Sequence, residues 1–416
     1  MRVKQLKIQF FRGIDNLTID FDEVEPTVFI GINGVGKSSI LDALCLLLSR
    51  YMEWIGGVAD TQEVKVFNEL DISNTSNGTI LDITILSPGE NNWTIFRNRH
   101  GISEESGHEK IRAACKTIWR NWYSNILYNI PLIVYYPTNR AVIDIDLEVP
   151  HKSEFKQIDA YEESLIGVKI SFSKFFQWFR NREDIESETL RDLHDYKDKE
   201  LEAVRQAISS LIPNFKKLRV RRSPLRMTVE KDGEELIVNQ LSDGEKCLLA
   251  MVGDLARRLA IANPGLENPL DGYGVVLIDE IELHLHPKWQ REIIPALTRT
   301  FPNCQFIVTT HSPQVISQVK PQGIYILEKT NDGIIAERPD SSYGRDSNQI
   351  LEDLMKVPER PQEIKQELLR LFRLIDLGNL DSAKQLRQEL AAKIGEDEAQ
   401  FIKADILMRR KGLSRK

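Results

Sequence analysis

An α/β fold, with a helical arm inserted into it and a helical tail after it, is what this sequence predicts. Three observations carry that prediction. Residues 28–44 run strand, glycine-rich loop, helix: Val28-Phe29-Ile30, then Gly31-Ile32-Asn33-Gly34-Val35-Gly36-Lys37-Ser38, then Ser39-Ile40-Leu41-Asp42-Ala43-Leu44. A second apolar run, Val275-Val276-Leu277-Ile278, ends in Asp279-Glu280. Residues 155–212 and 361–410 instead carry their apolar side chains at helical spacing among many charges.

Residues 3–9 and 17–21 read as strands around a turn at 12–16. Val3, Leu6, Ile8 and Phe10 lie on one face, with one irregularity in the alternation. The loop that follows is a complete phosphate-binding P-loop in the context that gives the motif meaning. Its glycines let the backbone turn tightly, so that N–H groups point at phosphate oxygens. The new helix adds its positive dipole end. Asn33, Gly34, Val35, Gly36, Lys37, Ser38 and Ser39 are therefore the candidate nucleotide cradle. Lys37 can reach the β- and γ-phosphates, and the Ser38 hydroxyl can ligate a metal, so ATP and Mg²⁺ are the expected ligands. A glycine-rich βα turn that binds nothing is the plainer alternative.

Residues 57–110 are mixed, with strand-like runs at 79–86 and 93–96, and residues 108–126 look helical. Residues 132–136, closed by Pro137, read as a buried strand. In the arm the apolar positions are Phe175, Phe176, Trp178, Phe179, Leu190, Leu193, Leu201, Val204 and Ile208. Residues 227–231 and 234–239 flank Asp232-Gly233, a strong hairpin signal. A helix at 243–262 puts Leu248, Leu249, Val252, Leu255 and Leu259 on one face, and 306–309 is a further buried strand. Three amphipathic helices follow at 361–377, 381–394 and 396–410, with Asp381 and Ser382 as cap candidates and a break at Gly395. The expected domains are a P-loop lobe at 1–150, the inserted arm at 151–225, a second lobe at 226–340 and a helical region at 341–416.

Composition narrows the function classes. A chain of 416 residues has room for two or three domains. The net charge of -7 does not announce a nucleic-acid binder. One local run, Lys216, Lys217, Arg219, Arg221, Arg222 and Arg226, either holds phosphates or lines a solvated strand and turn. No apolar run is long enough to span a bilayer, and residues 1–8 lack the apolar core of a secretory signal. Cys45, Cys115, Cys247 and Cys304 are scattered without metal-ligand spacing, as suits a reducing cytoplasm. A cytoplasmic protein with no membrane partner is expected.

The acids at 279 and 280 complete the chemistry. In a P-loop fold the strand beside the loop presents an Asp to the Mg²⁺ shell, here Asp279. Glu280 can orient and deprotonate an attacking water. A buried strand ending in solvated acids is the competing reading. Ser242 and Glu245 form a capping box that opens the helix at 243. That helix end, with the Gly244 N–H, is also an anion site. His311 follows an apolar strand. His284, His286 and His311 invite a zinc reading, which the absence of an accompanying Cys disfavours.

Taken in order, these motifs resemble the RecF/SMC-like branch of ABC ATPases over most of residues 1–320. Ile8-Gln9-Phe10-Phe11-Arg12-Gly13-Ile14 and Asp279-Glu280-Ile281-Glu282-Leu283-His284-Leu285-His286-Pro287 are typical of that branch. The resemblance implies an α/β, ABC-type P-loop ATPase head with an inserted helical arm and a helical C-terminal tail. It makes Leu241-Ser242-Asp243-Gly244-Glu245-Lys246 the signature that touches the γ-phosphate held by another subunit, hence a homodimer or higher oligomer of heads. It makes His311 the switch histidine and puts Arg12 close to the nucleotide. The family's Q-loop glutamine is missing from 135–140, where Asn139 and Arg140 stand without an assigned role.

Ser342-Tyr343-Gly344-Arg345-Asp346-Ser347-Asn348-Gln349-Ile350-Leu351-Glu352, with 357–361 and the helical tail, looks like the PtuA-like ATPases of Septu and related retron anti-phage systems. That resemblance implies an HNH nuclease partner of the PtuB type and, in retron versions, a reverse transcriptase with its DNA–RNA product. No Asp-x-Asp cluster follows His311, so nuclease activity is not expected in this chain. The reading is an ATP-binding and hydrolysing regulatory subunit that controls an HNH nuclease. The alternative is a RecF/SMC-like DNA-repair ATPase that binds DNA directly.

Overall fold

The computed structural model describes residues 1–56, 65–87, 89–140, 155–167, 169–331 and 333–413. The expected domain boundary at 150/151 and the start of the mixed segment at 57–64 lie outside them. In chain order the elements are β1 (Arg2–Phe11), β2 (Ile14–Asp20), β3 (Thr27–Ile30), α1 (Lys37–Gly56), β4 (Gly78–Leu86), β5 (Glu90–Asn98), β6 (Ser103–Ser106), α2 (His108–Ser124) and β7 (Leu132–Tyr136). Then come α3 (Phe172–Asp192), α4 (Lys199–Leu211), β8 (Phe215–Arg222), β9 (Leu225–Lys231), β10 (Glu234–Ile237), α5 (Asp243–Ala262), β11 (Gly274–Ile278), α6 (Pro287–Thr300) and β12 (Cys304–Thr309). The last are α7 (Pro313–Ile316), β13 (Ile324–Thr330), β14 (Gly333–Glu337), α8 (Ser347–Gln349), α9 (Gln362–Asp376), α10 (Leu380–Ile394) and α11 (Ala399–Leu413). Residues 1–347 form one compact unit and 348–416 another.

The central sheet has the order β14-β13-β3-β12-β11-β7. All its pairs are parallel except β13 with the edge strand β14. Strands β3, β7, β11 and β12 are buried at every residue, which is why their centres read as apolar runs without alternation. Here the structure corrects one expectation: β12, not the acidic strand β11, lies beside β3. Both strands have an apolar centre and are fully buried, so burial pattern does not order them. The order is set by the crossover through α6 that returns β12 to the sheet in parallel with β11.

A second, antiparallel sheet, β2-β1-β4-β5-β6, packs over α1. The irregularity in β1 is a bulge between Val3 and Gln5. Phe10 turns to a left-handed φ of 55°, so it is exposed and Phe11 takes the buried position the alternation had given to Phe10. The hairpin β9–β10 turns through Asp232 and Gly233, both left-handed, as its sequence predicts. Its second strand stops at Ile237, because 238–240 form a 3-10 turn.

Helix α5 was expected to bury one face. It is buried all round from Cys247 to Ala262, because α3 and α4 pack on the side the sheet leaves open. Gly253 is where Phe175 of α3 sits: a Cβ there would come within 2.9 Å of that ring. The buried charges of α5 meet one another and neighbouring elements, with only Arg257 Nε among its buried side-chain atoms lacking a hydrogen bond. Asp254 accepts from Arg257 Nη2 and Arg258 Nε at 2.7 Å each, and from the Tyr136 hydroxyl at 3.0 Å. Arg258 also donates to the Ala160 and Glu162 carbonyls. Burial works to raise the Asp254 pKa, but Arg258 and Arg257 outweigh it and hold the carboxyl well below the usual range.

The second unit has its own core, Leu371, Ile375, Leu386, Leu390, Phe401 and Ala404 among its members. Helix α10 begins earlier than its polar residues suggest. Its N-cap is Asn379, and Asp381 and Ser382 lie within the first turn. Leu380 packs against the core, so apolar contact fixes the start. Gly395, at a φ of 92°, ends the helix as expected. Among the described residues no helix is long and apolar enough to cross a membrane. All four cysteines are buried and unpaired.

Removing one partner of a fully buried ion network strands the other, at a cost of about 3–5 kcal/mol. Asp254→Ala is therefore expected to lower the equilibrium denaturation midpoint by that much stability. An unchanged midpoint would show that the two arginines are not held by this carboxylate.

Candidate functional site

The P-loop leaves β3 and enters α1 at the C-terminal edge of the central sheet, where ligand sites of open α/β sheets lie. Gly34 and Gly36 have φ values of 78° and 106°, in the region that glycine alone enters freely. A Cβ on Gly31 would meet the Leu327 carbonyl oxygen at 2.6 Å, so β13 packs too closely for any other residue. Gly34 faces open space. Asn33, Gly34 and Ser38 are exposed, Gly36 and Ser39 partly so, and Val35 is buried beneath the loop.

Lys37 is buried, and its ammonium donates to the carbonyls of Gly31 at 2.8 Å and Ile32 at 3.0 Å. Burial lowers its pKa, against the pull of Asp279, Glu280 and Glu282. Among the described residues no carboxylate forms an ion pair with it. A buried cation aimed by two carbonyls, beside a glycine cradle and a helix start with no acid in its first turn, fits an anionic phosphate.

The acidic strand ends in a frame of hydrogen bonds. The Thr309 hydroxyl donates to Asp279 Oδ1 at 2.5 Å and accepts from the Glu280 N–H at 2.7 Å. Arg140, buried, donates to the carbonyls of Asp279, Pro137 and Glu280. Asp279 N–H donates to the Tyr136 carbonyl at 2.9 Å. Glu280 sits at a φ of 47°, unusual for a residue with a side chain. Its partly exposed carboxylate has no hydrogen-bond or ionic partner among the described residues.

Glu282 ties this strand to the histidine loop. It accepts from the His311 N–H at 2.6 Å and from the Thr310 hydroxyl at 2.7 Å. Thr310 N–H donates to the Phe29 carbonyl at the end of β3. His311 thus stands at the end of the strand next to the P-loop, half-exposed and with its ring unpartnered among the described residues.

Arg12 is at a φ of 51° and is held by two acids, Asp71 at 2.9 Å and Asp42 at 2.5 Å. Asp42 lies one helical turn beyond Ser38, so Arg12 is beside the cradle. Lys65 pairs with the same Asp42, and its ammonium lies 5.5 Å from the centre of the Tyr135 ring. Burial and the Arg12 charge push its pKa down to about 8.

The signature residues stand apart from these. Ser242 caps α5, and Glu245 closes the box at 3.0 Å on the Ser242 N–H. Lys231 pairs with Glu245 at 2.7 Å. Burial would raise the Glu245 pKa, but its contacts with Lys231 and Ser242 outweigh that and lower it. A Cβ on Gly244 would lie 2.3 Å from the His284 carbonyl oxygen, so this glycine lets the helix end press on the loop after Glu280. The contacts of Ser242 and Glu245 go to each other and to Lys231, not to residues 31–39. His284 and His286 are exposed, and the described residues hold no cluster of three or more metal-ligating side chains.

Sequence reasoning missed three supports: Thr309, Arg140 as a carbonyl clamp, and Glu282 as the link to His311. Only the paired hydroxyls Thr309-Thr310 before His311 hinted at them. Of the two readings left open for the basic run, the structure favours the strand and turn. Four of its six cations are engaged: Lys217 with Glu230, Arg219 and Arg221 with Glu235, and Arg222 with Asp184 and Glu183.

A phosphate cradle on one parallel strand, with an acidic pair on another, defines a P-loop ATPase. An AAA-domain family model matches residues 5–216, and a second AAA-domain model, whose description names the AbiEii toxin and type IV TA systems, matches 169–317. The retron Ec83 probable ATPase of Escherichia coli is 31% identical over 97% of this chain and 84% of its own length. The retron Vc95 probable ATPase of Vibrio cholerae serotype O1 biovar El Tor is 30% identical over 92% and 85%. The Septu protein PtuA of Bacillus thuringiensis is 24% identical over 86% and 85%. Among solved structures, the SMC head domain from Thermotoga maritima aligns with 82% of this chain and all of its own, at 16% identity and a TM-score of 0.44. The chain belongs to the AAA-domain ATPase family that includes the two retron ATPases.

Thr309→Val removes both hydroxyl bonds without changing the side chain's shape. Hydrogen bonds to charged groups contribute about 1.5–3 kcal/mol, so ATP turnover is expected to fall roughly 10- to 100-fold, with Thr309→Ser largely restoring it. A phosphate-release assay checks this. Wild-type turnover in the valine variant contradicts the frame.

Proposed function

We propose that this ATPase is the regulatory subunit of an anti-phage defence complex, with ATP held between paired heads and an HNH nuclease as the controlled partner. One observation carries the ATP chemistry: Lys37 and Glu280 both lack an ionic partner among the described residues, Lys37 at the start of α1 after β3 and Glu280 after β11, strands separated only by β12. In this reading residues 33–39 cradle the phosphates, and Lys37 supplies the point charge. Ser38 and Asp279 would hold Mg²⁺, which when bound neutralises phosphate charge. Thr309 and Arg140 fix the backbone that aims Glu280, which takes the proton of the attacking water. His311 and Arg12 complete the phosphate contacts.

Ser242 and Gly244 serve the site of a second subunit. Their support is the exposed, capped start of α5 and its separation from the cradle of its own chain. The relatives named for retron and Septu systems support the defence role, and the nuclease partner rests on the resemblance of residues 342–361 and the helical tail. The DNA-clamp alternative gains nothing from the run at 216–226, whose cations are largely paired.

The test separates binding from turnover. Lys37→Ala should abolish Mg·ATP binding by calorimetry. Glu280→Gln should bind normally and lose on the order of 10²–10⁴ in hydrolysis rate. Normal affinity in the first, or normal turnover in the second, defeats the assignment.

The C-terminal unit is the proposed nuclease contact. Its helices cover one another's apolar faces, yet Ile402, Ile406 and Leu413 form an exposed stripe along α11. Ile402→Glu with Ile406→Glu should abolish co-purification of the HNH nuclease and spare ATP binding. Retention of the nuclease by a folded double variant moves the contact elsewhere.

A further inference from the structure

We infer that the outward face of α2 binds a single strand of nucleic acid. Arg112, Lys116, Trp119 and Tyr123 fall at i, i+4, i+7 and i+11, one stripe of the helix, with Arg120 beside it. The adjoining face, Ile111, Cys115 and Ile118, about a quarter-turn away, is buried towards α1 and β5. The stripe is therefore turned to solvent: Trp119 is 43% exposed and Tyr123 83%. Their rings stack with centroids 5.5 Å apart and planes at 20°.

The charges decide what such a surface would hold. Among the described residues Arg112, Lys116 and Arg120 have no ion pair or hydrogen bond through their side chains. This stands out in a chain of net charge -7, and against the run at 216–226, where carboxylates take most of the cations. Cations four residues apart on a helix are about 6 Å apart along its axis. That is the scale of successive phosphates on an extended strand. Beside the stripe lies a groove of about 940 Å³, lined by Trp122, Tyr123, Ile126, Leu127 and Trp178.

Unpaired cations in line with exposed aromatic rings are the two parts of a single-strand site: phosphates on the charges, bases stacked on the rings. A duplex hides its base faces and would use only the charges. An apolar protein surface would use only the rings and leave three cations unpaired. The inference does not depend on the nucleotide site.

The probe is a fluorescein-labelled oligothymidylate, titrated with the full chain across a salt series. Wild type should bind, with unlabelled duplex a weaker competitor than unlabelled single strand. Changing Arg112, Lys116 and Arg120 together to Ala should cost at least tenfold in affinity at low salt. It should also reduce the slope of log K against log salt by about 2, given about 0.7 per phosphate contact on a single strand. Tyr123→Ala should weaken binding roughly 5- to 150-fold with the slope unchanged. All four side chains are exposed, and circular dichroism confirms the fold of each variant. The inference is overturned if wild type does not bind the oligonucleotide at low salt, if duplex competes equally, or if both variants bind as wild type does. It is also overturned if Tyr123→Ala releases a co-purifying protein while oligonucleotide binding is untouched, since that makes the face a protein-docking surface.

Discussion

The site hangs on the hydroxyl of Thr309. It is one oxygen, at the end of β12, that donates to the Asp279 carboxylate and accepts from the Glu280 N–H. Because β12 lies between the P-loop strand and the acidic strand, this bond couples the two halves of the chemistry across the sheet. The left-handed backbone at Glu280 is a strain of about 1–3 kcal/mol, and it persists only where its surroundings over-determine it. They do so here: Thr309 holds the N–H side, Arg140 holds the carbonyl side, and Gly244 lets α5 press on the loop that follows.

Charge is arranged with the same economy. Acids meet bases where geometry must be fixed: Asp254 with Arg257 and Arg258, Arg12 with Asp42 and Asp71, Glu245 with Lys231. Among the described residues Lys37 and Glu280 at the sheet edge and the cations of α2 at the surface have no ionic partner, whereas Arg12, also proposed to meet phosphate, is held in place by its two acids. Paired charges build the frame, the unpaired cations mark where an anionic partner belongs, and the unpaired Glu280 carboxylate is left free to accept a proton.

Much of this was legible in the sequence because it is local. The P-loop, the hairpin at Asp232-Gly233, the capping box at Ser242 and the apolar strand centres depend on neighbours in the chain, and each formed close to where it was read. What depends on contacts between distant segments was not legible. Strand order was lost because β11 and β12 both read only as short buried strands. The full burial of α5 required α3 and α4. Phe11 displaced Phe10 from the core through one left-handed residue. Arg140 and Thr309 carry no motif, and their roles exist only once β7, β11 and β12 are side by side. The basic run at 216–226 stayed undecided for the same reason, since the carboxylates that pair with it come from β9, β10 and α3.

The central claim is that one frame, built by Thr309, Arg140 and Glu282, fixes the acids opposite a preformed cradle. A crystal structure of the chain with Mg²⁺ and a non-hydrolysable ATP analogue tests it most directly. The account predicts the triphosphate on the backbone of residues 33–39, the metal between Ser38 and Asp279, and the Thr309 bonds and left-handed Glu280 unchanged. A nucleotide bound elsewhere, or an acidic loop rebuilt with those bonds broken, would contradict it.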